Sequence, residues 1–245
     1  MRLLVTRPEP DATALKAQLI AMGHEVVVEP MLQVQFPPLE AGEIDLEEAQ
    51  ALVATSRNGV RALAQSRLAQ AALELPIFAV GPGTAGTARA LGFTQVLQGP
   101  RDARALVGYI AEHAHVNAGS LIYLSGEVTT GDVGGELRRL GFHVQEPVVY
   151  AVRPAEAFSP PIARRFEHGE IDAVLLMSAE TARTYARLIL GAGLSGRLAG
   201  TKHFCLSAAV ARGLAILRNP PIAVASQPDL KALLALVARG VSDLE

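Results

Sequence analysis

Six short stretches of this sequence place a small polar residue or a glycine after an apolar run and directly before a helical pattern. They begin at Thr6, Ser56, Gly81, Ser125, Ser178 and Ser207. In a parallel sheet, ligands bind outside the carboxyl ends of the strands. Helix N-termini at that edge offer free N–H groups and the positive end of the helix dipole. Serine and threonine are also ordinary N-caps, so capping alone explains any single stretch, but six together predict a cleft for a large anion.

The residues predicted to bind this ligand come from the same turns. Each turn supplies a hydroxyl group or backbone amides, and two of the turns add an arginine. The candidates are Thr6, Arg7, Ser56, Arg57, Asn58, Gly81, Pro82, Gly83, Thr84, Ser125, Gly126, Ser178, Ala179, Ser207 and Ala208.

One of these turns also has the letters of a dinucleotide-binding fingerprint. Gly81-Pro82-Gly83-Thr84-Ala85-Gly86 follows a strand pattern and opens a helix, as that motif requires. The motif also needs an acidic residue at the end of the next strand, and that strand ends at Gln98. Asp102 has about the right offset, but it stands at a helix start. A nicotinamide or flavin site is therefore disfavoured, and no cofactor is predicted.

Metal-dependent and nucleophilic chemistry have no matching pattern in the sequence. His113 and His115 are two residues apart, so they do not share a helix face. No group of Cys, His and Asp residues has the spacing of a metal site, and Gly-x-Ser-x-Gly is absent. The one cysteine, Cys205, stands in an apolar run and is predicted to be a buried thiol. No metal site is predicted.

The composition favours a protein that binds a small molecule. The chain has 245 residues, half of them hydrophobic, which suits one large or two ordinary α/β domains. Its net charge of −2 creates no field that would attract nucleic acid or a membrane surface. Arg2 and Arg7 interrupt the N-terminal stretch too early for a signal peptide, and no apolar run is long enough to span a bilayer. We therefore expect a cytoplasmic protein without nucleic-acid or membrane partners.

Two Glu-Pro pairs indicate how the chain is divided. Glu29-Pro30 and Glu146-Pro147 each follow a leucine-rich helical run, a glycine and a β-branched segment. Each pair opens a β-rich run that closes on proline, a residue that marks the edge or start of a strand. We predict that 29–36 and 147–153 are neighbouring linker strands. The segment 36–147 is then a domain inserted into a discontinuous domain of 1–35 plus 153–245.

Within these limits, short apolar runs alternate with helical patterns. The pattern gives five strands to each domain and predicts two doubly wound parallel-sheet α/β domains, flavodoxin-like, joined by a two-stranded β-ladder. Thr6 and Glu9 are predicted to form a capping box, and Ser125 is predicted to open a helix that runs to Leu140. Tyr150 lies in the second linker strand and shares a face with Val148 and Val152. Spacing alone favours an aromatic that covers the ribbon over a phenol that points into the cleft.

In their order and spacing, four motifs resemble those of the uroporphyrinogen-III synthase family over essentially the whole chain. They are Val5-Thr6-Arg7-Pro8, Ala54-Thr55-Ser56-Arg57-Asn58-Gly59-Val60, Ala79-Val80-Gly81-Pro82-Gly83-Thr84-Ala85 and Val148-Val149-Tyr150. The resemblance implies two α/β domains, one inserted in the other, and a cleft that binds hydroxymethylbilane. It also implies cyclisation to uroporphyrinogen III with inversion of ring D and loss of water, in tetrapyrrole (haem) biosynthesis.

The resemblance also assigns one catalytic residue. The tyrosine of the family's second linker maps to Tyr150, which could donate a proton to the leaving hydroxide of ring A. Near the C-terminus, Leu206-Ser207-Ala208-Ala209 replaces a Gly-x-x-Thr-Ala-like turn of many members, so the role of that threonine is not carried over. A monomer is expected.

The chemistry implied by the resemblance fits the predicted site. The substrate is a linear tetrapyrrole with carboxylate side chains on every ring, which suits several helix N-termini. The pyrrole nitrogen lone pair expels the hydroxide, and ring D then attacks the azafulvene through a spiro intermediate. The protein must mainly fold the substrate and exclude the uninverted isomer. The alternative is a non-catalytic, bilobal sensor of a small anion, which would share the fold but form no product.

Overall fold

The computed structural model describes residues 1–39, 44–129 and 131–242. The chain divides into two compact units. The first unit is Met1–Gln33 with Arg153–Glu245, and the second is Val34–Val152. The predicted inserted segment, 36–147, lies within the limits of the second unit, and its independent folding stays a prediction.

The first unit is a five-stranded parallel sheet with helices between its strands. Numbered along the whole chain, its elements are β1 (Arg2–Val5), α1 (Asp11–Ala21), β2 (Glu25–Val28), α7 (Pro160–Glu167), β11 (Ala173–Leu176), α8 (Ala179–Gly191), a 3-10 helix (Ser195–Gly200), β12 (Lys202–Cys205), α9 (Ala208–Arg212), β13 (Ile222–Val224) and α10 (Leu230–Ser242). The strand order is β13-β12-β11-β1-β2, and all pairs are parallel. In the unit's own numbering this is 2-1-3-4-5, the flavodoxin order.

The second unit is also a five-stranded parallel sheet, with a different strand order. Its elements are β4 (Ala49–Ala54), α2 (Arg57–Ala64), α3 (Ala69–Ala72), β5 (Ile77–Val80), α4 (Gly81–Ala90), β6 (Val96–Gly99), α5 (Ala103–His113), β7 (Ser120–Tyr123), α6 (Val133–Arg139) and β9 (Val144–Gln145). The strand order is β6-β5-β4-β7-β9, which is 3-2-1-4-5 in the unit's own numbering. The predicted fold class, with two doubly wound parallel sheets, is confirmed.

Both sheets are covered on their two faces because neighbouring residues of a strand point to opposite sides. In β1, Leu4 joins the apolar cluster that includes α7 and α8, whereas Leu3 joins the cluster that includes α1 and α10. In β4, Leu52 packs with residues of α2, and Val53 packs with residues of α5 and α6. Hydrophobic burial on both faces therefore holds the strand ends, and the turns that follow them, in fixed positions.

A third, three-stranded sheet contains the linker strands. Its order is β3 (Leu32–Gln35), β10 (Val148–Pro154) and β8 (Ser125–Gly126). The two predicted linker strands are therefore neighbours, and β8 is added beside the second. Its register pairs Val148 with Ser125 and Tyr150 with Gly126.

The predicted cap at Thr6 is wrong. Thr6 is buried, and its hydroxyl group donates to the carbonyl oxygen of Leu175, 2.6 Å away. Helix α1 begins later, at Asp11, with Pro10 at its N-cap position. Thr6 continues the line of β1, where its neighbour in β11 is close enough to bind its side chain. The Thr6 hydroxyl group therefore links the end of β1 to β11 and does not cap a helix.

The predicted helix start at Ser125 is also wrong. Ser125 and Gly126 form β8, because their backbone pairs with β10. The Ser125 side chain is buried, and its hydroxyl group donates to the carbonyl oxygen of Pro147 at 2.9 Å. The next helix, α6, begins at Val133 with Asp132 as its N-cap, which accepts from the Gly135 amide at 2.9 Å.

A search of the described residues for a membrane-spanning helix found none with the required length and apolarity.

Candidate active site

Each sheet has a point at which the chain changes the side to which it adds strands. In the first unit this point lies between β1 and β11, and in the second it lies between β4 and β7. Open α/β sheets bind ligands outside the carboxyl ends of the strands at such a switch point. The predicted turns after β1 and β11, and those after β4 and β7, fall at these two places. Each unit therefore has its own candidate site.

In the second unit, the first turn of α2 lies against the end of β7. Ser56 is the N-cap, and its Oγ accepts from the backbone amide of Asn58 at 3.2 Å. Gly59 lets α2 lie close to the end of β7, because a Cβ at this position would be only 2.8 Å from the carbonyl oxygen of Leu124. The absence of a side chain at Gly59 thus places the N-terminus of α2 at the switch point.

Helix α4 begins with fewer of its amides occupied. Gly81 has a left-handed backbone (φ 58°) and donates its N–H to the carbonyl oxygen of Pro100 at 2.8 Å. Pro82 has no N–H group, and the Thr84 N–H makes the first bond within a helix that begins at Gly81. No side chain caps this helix. Gly83 therefore has the amide that is left open for a ligand, whereas Thr84, which was predicted to supply one, is buried.

An arginine that sequence analysis missed lies beside this helix start. A Cβ at Gly81 would lie 3.3 Å from Cγ of Arg101, whose side chain is exposed. Arg101 follows the end of β6, so its place after a strand was the available signal. Its guanidinium can pair with a carboxylate bound at α4.

Two further residues missed by sequence analysis form a hydroxyl pair at the switch point. Oγ1 of Thr55 and the Tyr123 hydroxyl oxygen are 3.1 Å apart. Tyr123 is only 2% exposed, whereas Thr55 is partly exposed. Burial raises the pKa of Tyr123, and the nearby Tyr150 and Glu146 add to that rise, while the hydrogen bond with Thr55 opposes it. The phenol therefore keeps its proton at neutral pH.

Tyr150 lies in β10 with its ring against Gly126. A Cβ at Gly126 would lie 2.5 Å from Cζ of Tyr150 and 2.8 Å from its hydroxyl oxygen. Val149 and Ala151 are buried, whereas Val148 is exposed and Tyr150 is half-buried, as the predicted alternation requires. Among the described residues, the Tyr150 hydroxyl group has no hydrogen-bond partner. The absence of a side chain at Gly126 makes room for the ring, and the binding of the ligand by Gly126 stays a prediction.

In the first unit, the arginine predicted to bind an anion already has a partner. Nη2 of Arg7 lies 2.9 Å from a carboxylate oxygen of Asp11, and Nη1 lies 3.9 Å from Sδ of Met177. A ligand carboxylate would have to share this guanidinium with Asp11. The Arg7 side chain is 22% exposed, so a ligand can reach it.

The two serines of the first unit are N-caps, as predicted. Ser178 accepts from the Thr181 amide at 3.0 Å and opens α8, whose first residue is Ala179 and whose length is 13 residues. Ser207 accepts from the Val210 amide at 3.4 Å and opens α9, which begins at Ala208 and has five residues. The dipole of so short a helix is weak, so α8 offers the better anion site of the two.

In the part of the chain that the structure describes, no three His, Cys, Asp or Glu residues are grouped so as to hold a metal ion.

Two doubly wound sheets, one inserted into the sequence of the other, with helix N-termini at both switch points, define an α/β protein suited to an anionic ligand. The family model for uroporphyrinogen-III synthase HemD matches residues 13–235. Because this match covers most of its length, the chain belongs to the uroporphyrinogen-III synthase family. The chain is therefore an enzyme of tetrapyrrole biosynthesis that cyclises hydroxymethylbilane in a lyase-type reaction, and the predicted activity is confirmed.

Solved structures support the fold. Uroporphyrinogen-III synthetase from Helicobacter pylori has a TM-score of 0.65 at 17% identity, over 98% of this chain and 99% of that one. A mutant uroporphyrinogen III synthase from Thermus thermophilus has a TM-score of 0.55 at 18% identity, over 99% of each chain. No curated protein sequence matched the chain.

Proposed function

We propose that the cyclisation uses the strand-end turns described above, with Tyr150 as the proton donor to the departing hydroxide. The observation that carries this proposal is the place of Tyr150 in β10. Its ring rests on Gly126, and its hydroxyl group has no hydrogen-bond partner among the described residues. A phenol hydroxyl group that has no internal acceptor is available to donate to a ligand.

Substrate binding is proposed to rest mainly on backbone amides. Helix α4 has no side-chain cap, so the amide of Gly83 stays open. In α8 the capping Ser178 accepts from the Thr181 amide, so the amides of Ala179 and Glu180 stay open. Each amide can donate to a carboxylate of the substrate, with the helix dipole adding to the attraction. Arg101 supplies a positive charge beside α4.

The proton and the leaving group balance within this scheme. The ring A carbon–oxygen bond breaks as the pyrrole nitrogen lone pair enters the ring system, and the departing hydroxide takes the phenol proton and leaves as water. The substituted α-carbon of ring D attacks the azafulvene and forms the spiro intermediate, and its bond to the bridge carbon of ring C then breaks. The free α-carbon of ring D bonds to that bridge carbon and loses its proton as the pyrrole ring becomes aromatic again, and that proton can return to Tyr150. Positioning of the two ends of the substrate is the larger contribution of the protein.

Product analysis tests the proposed function. The purified chain is incubated with hydroxymethylbilane, and the uroporphyrinogen isomers are separated after oxidation. We expect the inverted isomer in excess of the uninverted one, which forms alone in buffer. A product mixture identical to that of the buffer control would contradict the proposal and favour the non-catalytic sensor.

We also propose that the second unit folds independently and that the whole chain acts as a cytoplasmic monomer. The second unit has its own sheet and its own apolar clusters on both faces. Cys205 is a buried, free thiol, as expected in a reducing compartment. Residues 34–152 expressed alone should give a cooperative unfolding transition and resist proteolysis, and the whole chain should sediment as one copy. An unfolded fragment or a dimer would contradict the respective part.

A further inference from the structure

The pair formed by Thr55 and Tyr123 has a defined place in the fold of the second unit. Thr55 directly follows β4, and Tyr123 ends β7, where it is the register partner of Val53. The pair therefore bridges the two strands that flank the switch point. Its two members differ in access, since Tyr123 is buried and Thr55 is partly exposed.

The direction of the hydrogen bond follows from this difference. The Tyr123 hydroxyl group is buried, so a hydrogen without an acceptor would cost more than an oxygen lone pair without a donor. Oγ1 of Thr55 is its hydrogen-bond partner among the described residues. Tyr123 therefore donates and Thr55 accepts. The hydrogen of Thr55 must then point elsewhere, and no acceptor for it lies within the described part of the chain.

We propose that Tyr123 is a positioning residue, which orients the Thr55 hydroxyl group so that it donates to a carboxylate oxygen of the substrate. This inference rests on the proposed function, which brings the substrate to these turns. Thr55 stands beside the N-terminus of α2, where the helix dipole favours a negative charge. Tyr123 is too deeply buried to touch the substrate, so it acts through Thr55.

A double-mutant cycle tests the proposal through steady-state kinetics with hydroxymethylbilane. Thr55→Val removes the donor and should raise KM about tenfold with little change in kcat, because the carboxylate is bound equally before and during the reaction. Tyr123→Phe leaves Thr55 free to rotate and should raise KM roughly two- to fivefold. The double variant should have the KM of Thr55→Val alone, because Tyr123 acts only through Thr55. Thr55→Ser should retain most of the affinity.

Thermal unfolding separates this role from a structural one. Thr55→Val leaves the buried phenol without an acceptor and should lower Tm, and adding Tyr123→Phe should raise Tm again without lowering KM. If Thr55→Val does not fold, Thr55→Ala combined with Tyr123→Phe gives the same comparison without an unpaired buried hydroxyl. Tyr109→Phe, in α5 away from the switch point, is the matched control and should keep the wild-type KM.

Two results would overturn the inference. One is independent, multiplicative effects of the two substitutions on KM, and the other is a fall in kcat for Tyr123→Phe with KM unchanged. The proposed proton donor is tested separately, because Tyr150→Phe is expected to change kcat. If Tyr150→Phe keeps the wild-type kcat while the effects of Thr55 and Tyr123 on KM remain coupled, Tyr150 is not the proton donor, but the role inferred for the hydroxyl pair holds.

Discussion

Each unit buries a tyrosine whose hydroxyl group pairs with one neighbouring side chain. The two pairs differ in whether the second side chain has a further hydrogen-bond partner. In the first unit, the Tyr185 hydroxyl lies 3.1 Å from Nε2 of His203, and Nδ1 of His203 lies 3.1 Å from the carbonyl oxygen of Pro221. In the second unit, the Tyr123 hydroxyl lies 3.1 Å from Oγ1 of Thr55. The two hydrogen bonds therefore have the same length but lie in different environments.

The pair in the first unit satisfies every polar atom that it buries. A carbonyl oxygen only accepts, so Nδ1 of His203 carries the ring proton and Nε2 accepts from Tyr185. Burial lowers the pKa of His203 to about 4 and raises that of Tyr185, so both stay neutral at pH 7. Such a closed network stabilises one arrangement of the core.

In the pair of the second unit, the hydroxyl hydrogen of Thr55 has no acceptor among the described residues. Thr55 lies at the edge where ligands bind in this class of sheet. Tyr150, in the same unit, also has a hydroxyl group without a partner among the described residues. By contrast, Thr6 and Arg7 in the first unit are occupied by Leu175 and Asp11. Donors without a partner, more than the presence of hydroxyl groups, therefore identify the sheet edge suited to chemistry.

The largest expected effect concerns the closed pair of the first unit. The pKa of His203 is about 4 in the folded protein, below the ordinary value of 6.5, so the unfolded state binds more protons between these values. Its contribution to stability is complete above about pH 6.5 and is lost as the pH falls toward 4. We expect His203 to make the free energy of unfolding roughly 3 kcal/mol smaller at pH 4 than at pH 7.

Chemical denaturation of the wild type and of His203→Gln at both pH values isolates this effect. Glutamine does not titrate, so the variant should lose less stability on acidification, although it is less stable at pH 7. The lowered pKa values of His24 and Asp172 act in both proteins and cancel in the difference. Equal losses in the two proteins would show that His203 does not titrate as the closed network requires.

The next largest effect is expected at the start of α4, where no side chain caps the helix. Gly83→Pro deletes the one amide that is left for a ligand, and a first helical turn tolerates proline. We expect KM to rise about tenfold, the size of one hydrogen bond to a charged group. Gly83→Ala is the matched control, because a Cβ there meets nothing within 4 Å and the amide remains. An equal KM for the two variants would exclude this amide from binding.

The smallest effects are expected at the capping serines, one in each unit. Ser56→Ala and Ser178→Ala remove a cap from α2 and α8 but keep every backbone amide, so KM should rise no more than about threefold. Stability should fall by about 1 kcal/mol for each. A large KM increase for either variant would show that serine side chains, and not amides, hold the substrate.

Sequence reasoning reached the fold because strand and helix periodicities alternate along the chain, and because the Glu-Pro runs repeat. It failed at Thr6 and Ser125, where pairing with a distant strand decided the local structure. It also missed the pair of Thr55 and Tyr123, which are 68 positions apart and meet only through the register of β4 and β7. Contacts of this kind depend on strand order, which spacing along the chain does not contain.

The most direct test of the central claim, that the second unit supplies the proton, is the kcat of Tyr150→Phe. Phenylalanine keeps the ring on Gly126 and removes only the hydroxyl group, and with it the proton. General acid catalysis is typically worth 10²–10⁴-fold, and the pyrrole nitrogen already assists departure of the hydroxide. We therefore expect kcat to fall roughly 10- to 100-fold, with unchanged stability and the inverted isomer still formed. A Tyr150→Phe enzyme with wild-type kcat would contradict the account.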